Sequence, residues 1–319
     1  MVMTTGNTNL LTRGEIWSGE LKEILRDEMM AQKYVRMLEG FPDGDTFYIP
    51  SIGQAQVDDY SEDTQVPYRP MDTGQFTFSV DKYLSSATYV TKKAEQDTFY
   101  SEQLISRFVP EQERAIMAHF ETTTLASAES GVSANSNEAL DGVEHRWSAA
   151  AGVISIEDFA RARFALKRAN VPDQALVAIV DPSVEYTINT IANLVSVSNN
   201  PRYEGIVADG IATGMTFVKN IYGFDVYCSN YLADVTDGAL PDRDDANVNY
   251  SSDNGKANLF FSAAPTVTPF VGAWRQMPEV DYEYNKDLQR HEYVTTARYG
   301  VKLYRPENIV RVASKPSVV

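Results

Sequence analysis

The sequence predicts an α+β fold: an arm, a projecting hairpin, a long helix, a mixed α/β lobe, and strands that return at the C-terminus. Three observations carry this. Amphipathic helices and alternating strands are interspersed without an internal repeat. Strand-like segments near both ends lack sequential partners, so a sheet must be closed by pieces of chain far apart in sequence. A polar stretch over 51–74, too poor in aliphatic side chains to enter a core, interrupts the first third of the chain.

The elements follow in order. Over 13–39, Trp17, Leu21, Ile24, Ala31, Val35 and Leu38 recur at spacings of three and four, opposite a charged face of Glu15, Lys22, Glu23, Arg26 and Asp27. This predicts an amphipathic helix closed by Gly40, marginal alone and therefore lying on something else. A short strand cut by Pro50 leads into the polar stretch, which is expected to project as a long hairpin. Beyond it Phe76, Phe78 and Val80 alternate with Thr77, Ser79 and Asp81, a half-buried strand. Residues 97–128 predict helix, with Pro110 leaving open whether it is one bent helix or two. A Ser/Asn/Gly-rich loop follows.

Next come alternating elements. Ser155 and Asp158 form a variant capping box ahead of a stripe of Phe159, Ala162, Phe164 and Leu166. The run VPDQALVAIVDP is a buried strand ended by Asp181-Pro182, and SVEYTINTIANL is a helix. A strand pair hinges at Gly223, residues 233–256 predict an acidic surface loop, and long strands finish the chain, with Tyr299, Val301 and Leu303 on one face.

Composition narrows the function. The chain has 319 residues, 43% of them hydrophobic, enough for a substantial core. No stretch approaches the roughly 18–20 consecutive apolar residues of a membrane span. The N-terminus lacks a basic segment followed by an apolar run, so no signal peptide and folding in the cytoplasm of the producing cell are expected. One cysteine, Cys228, rules out an intramolecular disulfide and a Cys-based zinc site; it suits a buried position. Against 28 basic residues stand 44 acids, a formal charge of −16, which repels phosphate backbones and argues against sequence-independent nucleic-acid binding. A wall around packaged DNA is compatible with that charge, because DNA slides on it without sticking.

Motifs for chemistry are absent. His119, His145 and His291 are too scattered for a ligand set, and HEYVT at 291–295 has Thr295 where a zincin needs its second histidine. A calcium loop starting at Asp245 would place Asn247 and Asn249 correctly, but Tyr250 replaces the turn glycine and Lys256 replaces the bidentate acid. No nucleophile elbow, phosphate loop or dinucleotide fingerprint occurs. No catalytic, cofactor-binding or metal residue is therefore assigned, and no cofactor is expected.

The order of segments resembles the tailed-bacteriophage major capsid proteins of the Hong Kong 97 fold. The likeness lies in GDTFYIPSIGQAQVDDYSEDTQVPYRPM with FTFSVDKYLSSATYV, in SEQLISRFVPEQERAIMAHFETT, in VPDQALVAIVDPSVEYTI, in FVKNIYGFDVYCSNYL and in TARYGVKLYRPENIVRV, together spanning roughly 13–313. The resemblance implies an N-terminal arm (1–40), an extended loop (50–76), a peripheral domain with a long spine helix (77–135 and 270–319) and an axial domain (136–269). It implies a protein with no catalytic role, assembled in the host bacterial cytoplasm into the virion. There hexamers and pentamers of the chain itself would form an icosahedral shell enclosing double-stranded DNA, without sequence-specific binding and without a membrane.

Two features depart from some family members. No scaffolding domain precedes the arm, so a separate scaffolding protein is expected, alongside a portal protein and a decoration or cement protein. No lysine occurs in 51–76, only Arg69, so covalent cross-linking through this loop is not expected. The inter-subunit contact candidates are the loop residues Asp58, Asp59, Glu62, Asp63 and Arg69, the arm residues Arg13, Lys22 and Arg26, and the helix residues Arg161 and Arg163. The alternatives are another phage structural protein, of the tail or a decoration, and a hydrolase with an unrecognised carboxylate site.

Overall fold

The computed structural model describes residues 29–39, 46–53, 57–66, 68, 70, 73–97, 101–133, 136–190, 220–235, 240–241, 247–250 and 255–316. A 3-10 turn, Ala31–Tyr34, leads into β1 (Val35–Met37). Then come β2 (Thr46–Ile52), β3 (Thr73–Ser79), β4 (Lys82–Thr91), α1 (Lys92–Asp97) and α2 (Ser101–Ser127). After them follow β5 (Arg146–Ser148), α3 (Ile156–Arg168), β6 (Leu176–Val180), α4 (Pro182–Thr190), β7 (Asn220–Ile221) and β8 (Phe224–Cys228). The chain ends with β9 (Asp234–Val235), β10 (Leu240–Pro241), β11 (Asn247–Val248), β12 (Gly255–Ser262), β13 (Phe270–Asn285), β14 (Arg290–Leu303) and β15 (Ile309–Ser314).

Two sheets share the core. One has the order β1-β13-β14-β4, with β1 parallel to β13 and the rest antiparallel. The other runs β5-β15-β12-β6-β8-β7, with β9 beside β12. Both are closed by distant segments, as the unpaired end strands predicted. All of β6 is buried because both faces of the sheet are covered. Ala178 and Val180 face Phe159, Ala162 and Leu166 of α3 and Val184 and Ile188 of α4. Val177 and Ile179 face Phe120 and Leu125 of α2 together with Tyr299 of β14.

Local chemistry explains several boundaries. Asp158 accepts the Ser155 backbone N–H at 2.8 Å, the capping-box contact that starts α3. Asp181 accepts the Ser183 N–H at 3.0 Å and so caps α4. Tyr222 and Gly223 have φ of 50° and 89°, the paired left-handed geometry of a two-residue hairpin turn between β7 and β8. Helix α2 is a single helix through Pro110, which removes one backbone donor without ending it.

The structure corrects three expectations. The described end of the 13–39 helix is no helix: from Ala31 the chain is a 3-10 turn and then β1, because Val35, Arg36 and Met37 pair with Phe270, Val271 and Gly272. Residues 1–28 and Gly40 lie outside the described residues. Phe164 leaves the buried stripe of α3 and is exposed; Ala165 takes its place. The 233–256 segment is not purely a solvated loop, since Val235, Leu240 and Tyr250 are buried against Ala257 and Ala313. Tyr250 is anchored by hydrogen bonds to Ser148 Oγ (2.6 Å) and the Ala313 carbonyl (3.0 Å). Strand β15 pairs with β12 and with β5.

Candidate assembly surfaces

The projecting element is the ribbon β2–β3, paired from Thr46–Ser79 to Ile52–Thr73. Among the described residues its two strands form a sheet of their own. Its root is anchored: Phe78 is buried with Val80, Val271 and Ala273. Phe76 stands edge-on to Tyr304 at 4.9 Å, and the Lys302 ammonium lies 5.1 Å from the Phe76 ring while donating to the Thr77 carbonyl at 3.0 Å. Beyond that root the apolar side chains are in solvent. Val57 is 95% exposed, Tyr60 74%, Val66 53% and Tyr68 91%. Large apolar groups left out at the end of a ribbon mark a surface for another molecule.

The loop acids share this tip. Asp58, Asp59, Glu62 and Asp63 are all exposed, and the turn that gathers them is closed by a Thr64 N–H to Ser61 carbonyl bond of 3.2 Å. Asp63 takes a left-handed φ of 59°, which aspartate tolerates better than most residues. Arg69, Arg13, Lys22 and Arg26 lie outside the described residues.

The two helix candidates are committed inside their own subunit. Arg161 stacks on the Trp147 indole, 4.7 Å from the ring centre, and pairs with Glu144. Arg163 meets Asp173 at 2.5 Å and donates to the Tyr222 carbonyl at 2.8 Å, with Lys167 3.0 Å from the same Asp173. Hydrogen bonds from Arg163 and then Lys167 hold the Asp173 carboxyl below its ordinary range. The subunit does not bring these arginines to the loop acids.

Among the described residues no group of three His, Cys, Asp or Glu side chains is arranged to hold a metal. Lys256, at the end of the calcium-like segment, turns its ammonium to Asp234 at 2.6 Å. His119 is 2.7 Å from the Tyr299 hydroxyl, and His291 is 2.5 Å from that of Tyr282. One important residue gave no signal in the sequence: Glu121, an acid on α2 that the periodicity places beside the apolar stripe, is buried and holds the arm segment.

The comparisons with known proteins agree with this architecture. A family profile described as phage capsid protein matches residues 74–312, from the distal strand of the ribbon to the last strand of the core. No curated protein matches the sequence. The structure is similar to a capsid chain of cyanophage P-SCSP1u, with TM-score 0.70, 17% identity and coverage of 99% of this chain and 96% of that one. It is similar to a chain of the mature capsid of bacteriophage PhiM1, with TM-score 0.69, 10% identity and coverage of 97% and 94%. A chain from Mycobacterium phage Che8 gives TM-score 0.66, 16% identity and coverage of 94% and 96%. At such identities the likeness is one of fold. Given the profile match over most of its length, the chain belongs to the phage capsid protein family, a tailed-phage major capsid protein of the Hong Kong 97 fold that builds the virion shell and is not an enzyme.

Proposed function

We propose that the chain tiles its shell as hexamers and pentamers around double-stranded DNA, and that the ribbon 50–76 clasps a neighbouring copy. The observation that carries this is the exposure of Val57, Tyr60, Val66 and Tyr68 at the end of a ribbon whose root is anchored through Phe76, Thr77 and Phe78. Ordering such a segment costs roughly 1 kcal/mol or more per residue, and its own subunit offers little burial in return. A neighbouring surface supplies it. The net charge of −16 suits a wall that encloses DNA without gripping it.

In this reading 1–40 serves as the arm, 77–135 with 270–319 as the peripheral domain, and 136–269 as the axial domain. A separate scaffolding protein, a portal and a decoration or cement protein would complete the assembly. Deleting 55–70 tests the clasp: the subunit should stay folded and soluble, yet electron microscopy should show no shells. An unfolded deletion variant would place the loop in the core and refute the clasp.

A further inference from the structure

We propose that Glu121 is a latch that fixes where the N-terminal arm leaves the subunit, by holding residues 30–38 as a strap across the spine helix and both sheets. Glu121 lies on α2, six residues before its end, and is 1% exposed. Its Oε1 accepts the backbone N–H groups of Met30 at 2.9 Å and Ala31 at 2.8 Å, and its Oε2 lies 2.9 Å from the Ala31 nitrogen. These donors come from a segment about ninety residues away in sequence. They are the first amides of the 3-10 turn, where the helix supplies no partner and a carboxylate is favoured.

From the latch the strap crosses three bodies in nine residues. Ala31 and Val35 are buried with Phe120 and Leu125 of the helix. Tyr34 reaches the underside of the seven-stranded sheet, edge-on to Phe261 at 5.5 Å and 6.3 Å from the ring of Tyr227. Tyr34 is half-buried there, and burial, with Tyr227 adding to it, pushes its phenol pKa up. Val35–Met37 then joins β13, and the Leu38 N–H donates to the Gly272 carbonyl at 2.8 Å. The fit is close: a Cβ on Gly272 would fall 2.8 Å from the Val35 side chain.

The arrangement behaves as a latch rather than as core because of what the carboxylate faces in each state. A buried carboxylate needs charge-assisted donors, and two of them belong to the strap. Lifting the strap removes those donors and admits water to the same carboxylate, so release strands no buried charge. Three strand pairs, the Leu38 bond and one acid therefore hold residues 30–38 in place. The device stands whether or not the arm reaches a neighbouring subunit.

Lys33 and Arg36 are exposed within the strap and offer tryptic sites that report its release. In the unassembled full-length subunit, Glu121→Gln keeps the shape and one oxygen but loses the charge. It should speed tryptic cleavage after Lys33, and hydrogen exchange of a peptide covering 29–38, about ten- to hundredfold. Peptides from β6 and β12 should remain as protected as before. Glu121→Asp keeps the charge but withdraws the oxygens by roughly 1.5 Å, and should loosen the strap too. Gln112→Ala on the same helix, which breaks the buried bond from Thr295, is the control for general loosening. A strap equally protected in both Glu121 variants overturns the proposal. So does a Gln112→Ala strap released as far at a matched loss of thermal stability.

Discussion

Glu129, just past the end of α2, receives the guanidinium of Arg146 from β5 at 3.1 Å, with the arginine side chain 4% and the acid 14% exposed. Arg311 of β15 stands 3.9 Å from the other carboxylate oxygen, and the Arg146 guanidinium also donates to the Ser136 carbonyl at 3.0 Å. One acid thus ties the end of the spine helix to two strands of the seven-stranded sheet. Burial lowers the pKa of Arg311, and Glu129 is the chief group opposing that.

Removing Glu129 should therefore cost far more than breaking a surface ion pair. Glu129→Gln removes the carboxylate beside two buried guanidinium groups, for an expected loss of roughly 3–5 kcal/mol. Breaking the exposed Asp81–Lys82 contact of 3.7 Å should change stability by less than about 1 kcal/mol. Urea denaturation of the unassembled subunit compares the two directly. Equal midpoints would mean that water reaches the Glu129 site.

His145 gives the subunit a pH dependence near neutrality. The ring is buried, has no hydrogen-bond partner at Nε2 among the described residues, and has Nδ1 3.1 Å from the Val143 carbonyl. Burial lowers its pKa below 6.5, Arg311 adds to that, and the Val143 carbonyl and Glu307 oppose it. Between the lowered folded value and about 6.5, the unfolded chain binds a proton that the native state refuses. This contribution is complete above about pH 6.5 and is lost as the pH falls toward the folded value. Asp158, raised by burial, acts in the opposite sense at lower pH, because the native state then protonates first. Comparing the unfolding midpoints of wild type and His145→Gln from pH 7.5 to 5.5 isolates the histidine. The wild type should lose more over that interval, and parallel curves would show that the ring is hydrated.

Much of this fold is legible in the sequence because its signals are local. The capping box at Ser155, the Asp181-Pro182 stop and the turn at Gly223 each depend on residues within a few positions. The strand β4 alternates in burial along its length, but with Ser85, Ser86 and Ala87 in its middle the hydrophobic pattern is too faint to announce it. The arm misleads for a different reason. Ala31, Val35 and Leu38 continue a helical spacing, yet pairing with Phe270–Gly272, more than two hundred residues on, makes that segment a strand. Side-chain partners outside the local window are harder to read: nothing near Arg161 and Arg163 announces Glu144 and Asp173 beside them. Glu121 looks like any surface acid until the arm covers it. By composition, 13–39 holds Glu15, Glu20, Glu23, Asp27, Glu28 and Glu39 beside its five bases.

The absence of lysine from 51–76 predicts a shell held without covalent links through the loop. Lys82, the next lysine along the chain, sits at the start of β4 beside Asp81, outside the ribbon. Purified particles boiled in denaturant should run as a single band near 35.6 kDa. A ladder of higher species would assign the link to another lysine.

The loop acids make the sharpest test of how so acidic a subunit packs beside copies of itself. Asp58, Asp59, Glu62 and Asp63 share a tip with Val57, Tyr60 and Val66, so whatever receives the loop must accommodate charge and apolar surface together. Exposed ion pairs are worth only about 0–1 kcal/mol each, but the same pairs recur at every loop of the shell. Changing all four acids to Lys should leave the folded subunit within about 0.5 kcal/mol of wild-type stability, since they lie at the surface, while abolishing shells. Salt alone is a poorer probe, because it screens the specific pairs and the general repulsion together beyond roughly 8–10 Å. A compensating change at Arg161 or Arg163 carries a cost of its own. Reversing Arg161 or Arg163 would break their bonds to Glu144 and Asp173, and should weaken the subunit without restoring assembly. Recovery of shells by Arg163→Glu in the four-lysine background would show that Asp173 releases this arginine on assembly. Normal shells from the four-lysine variant alone would mean that Val57, Tyr60 and Val66 carry the contact and the acids face solvent.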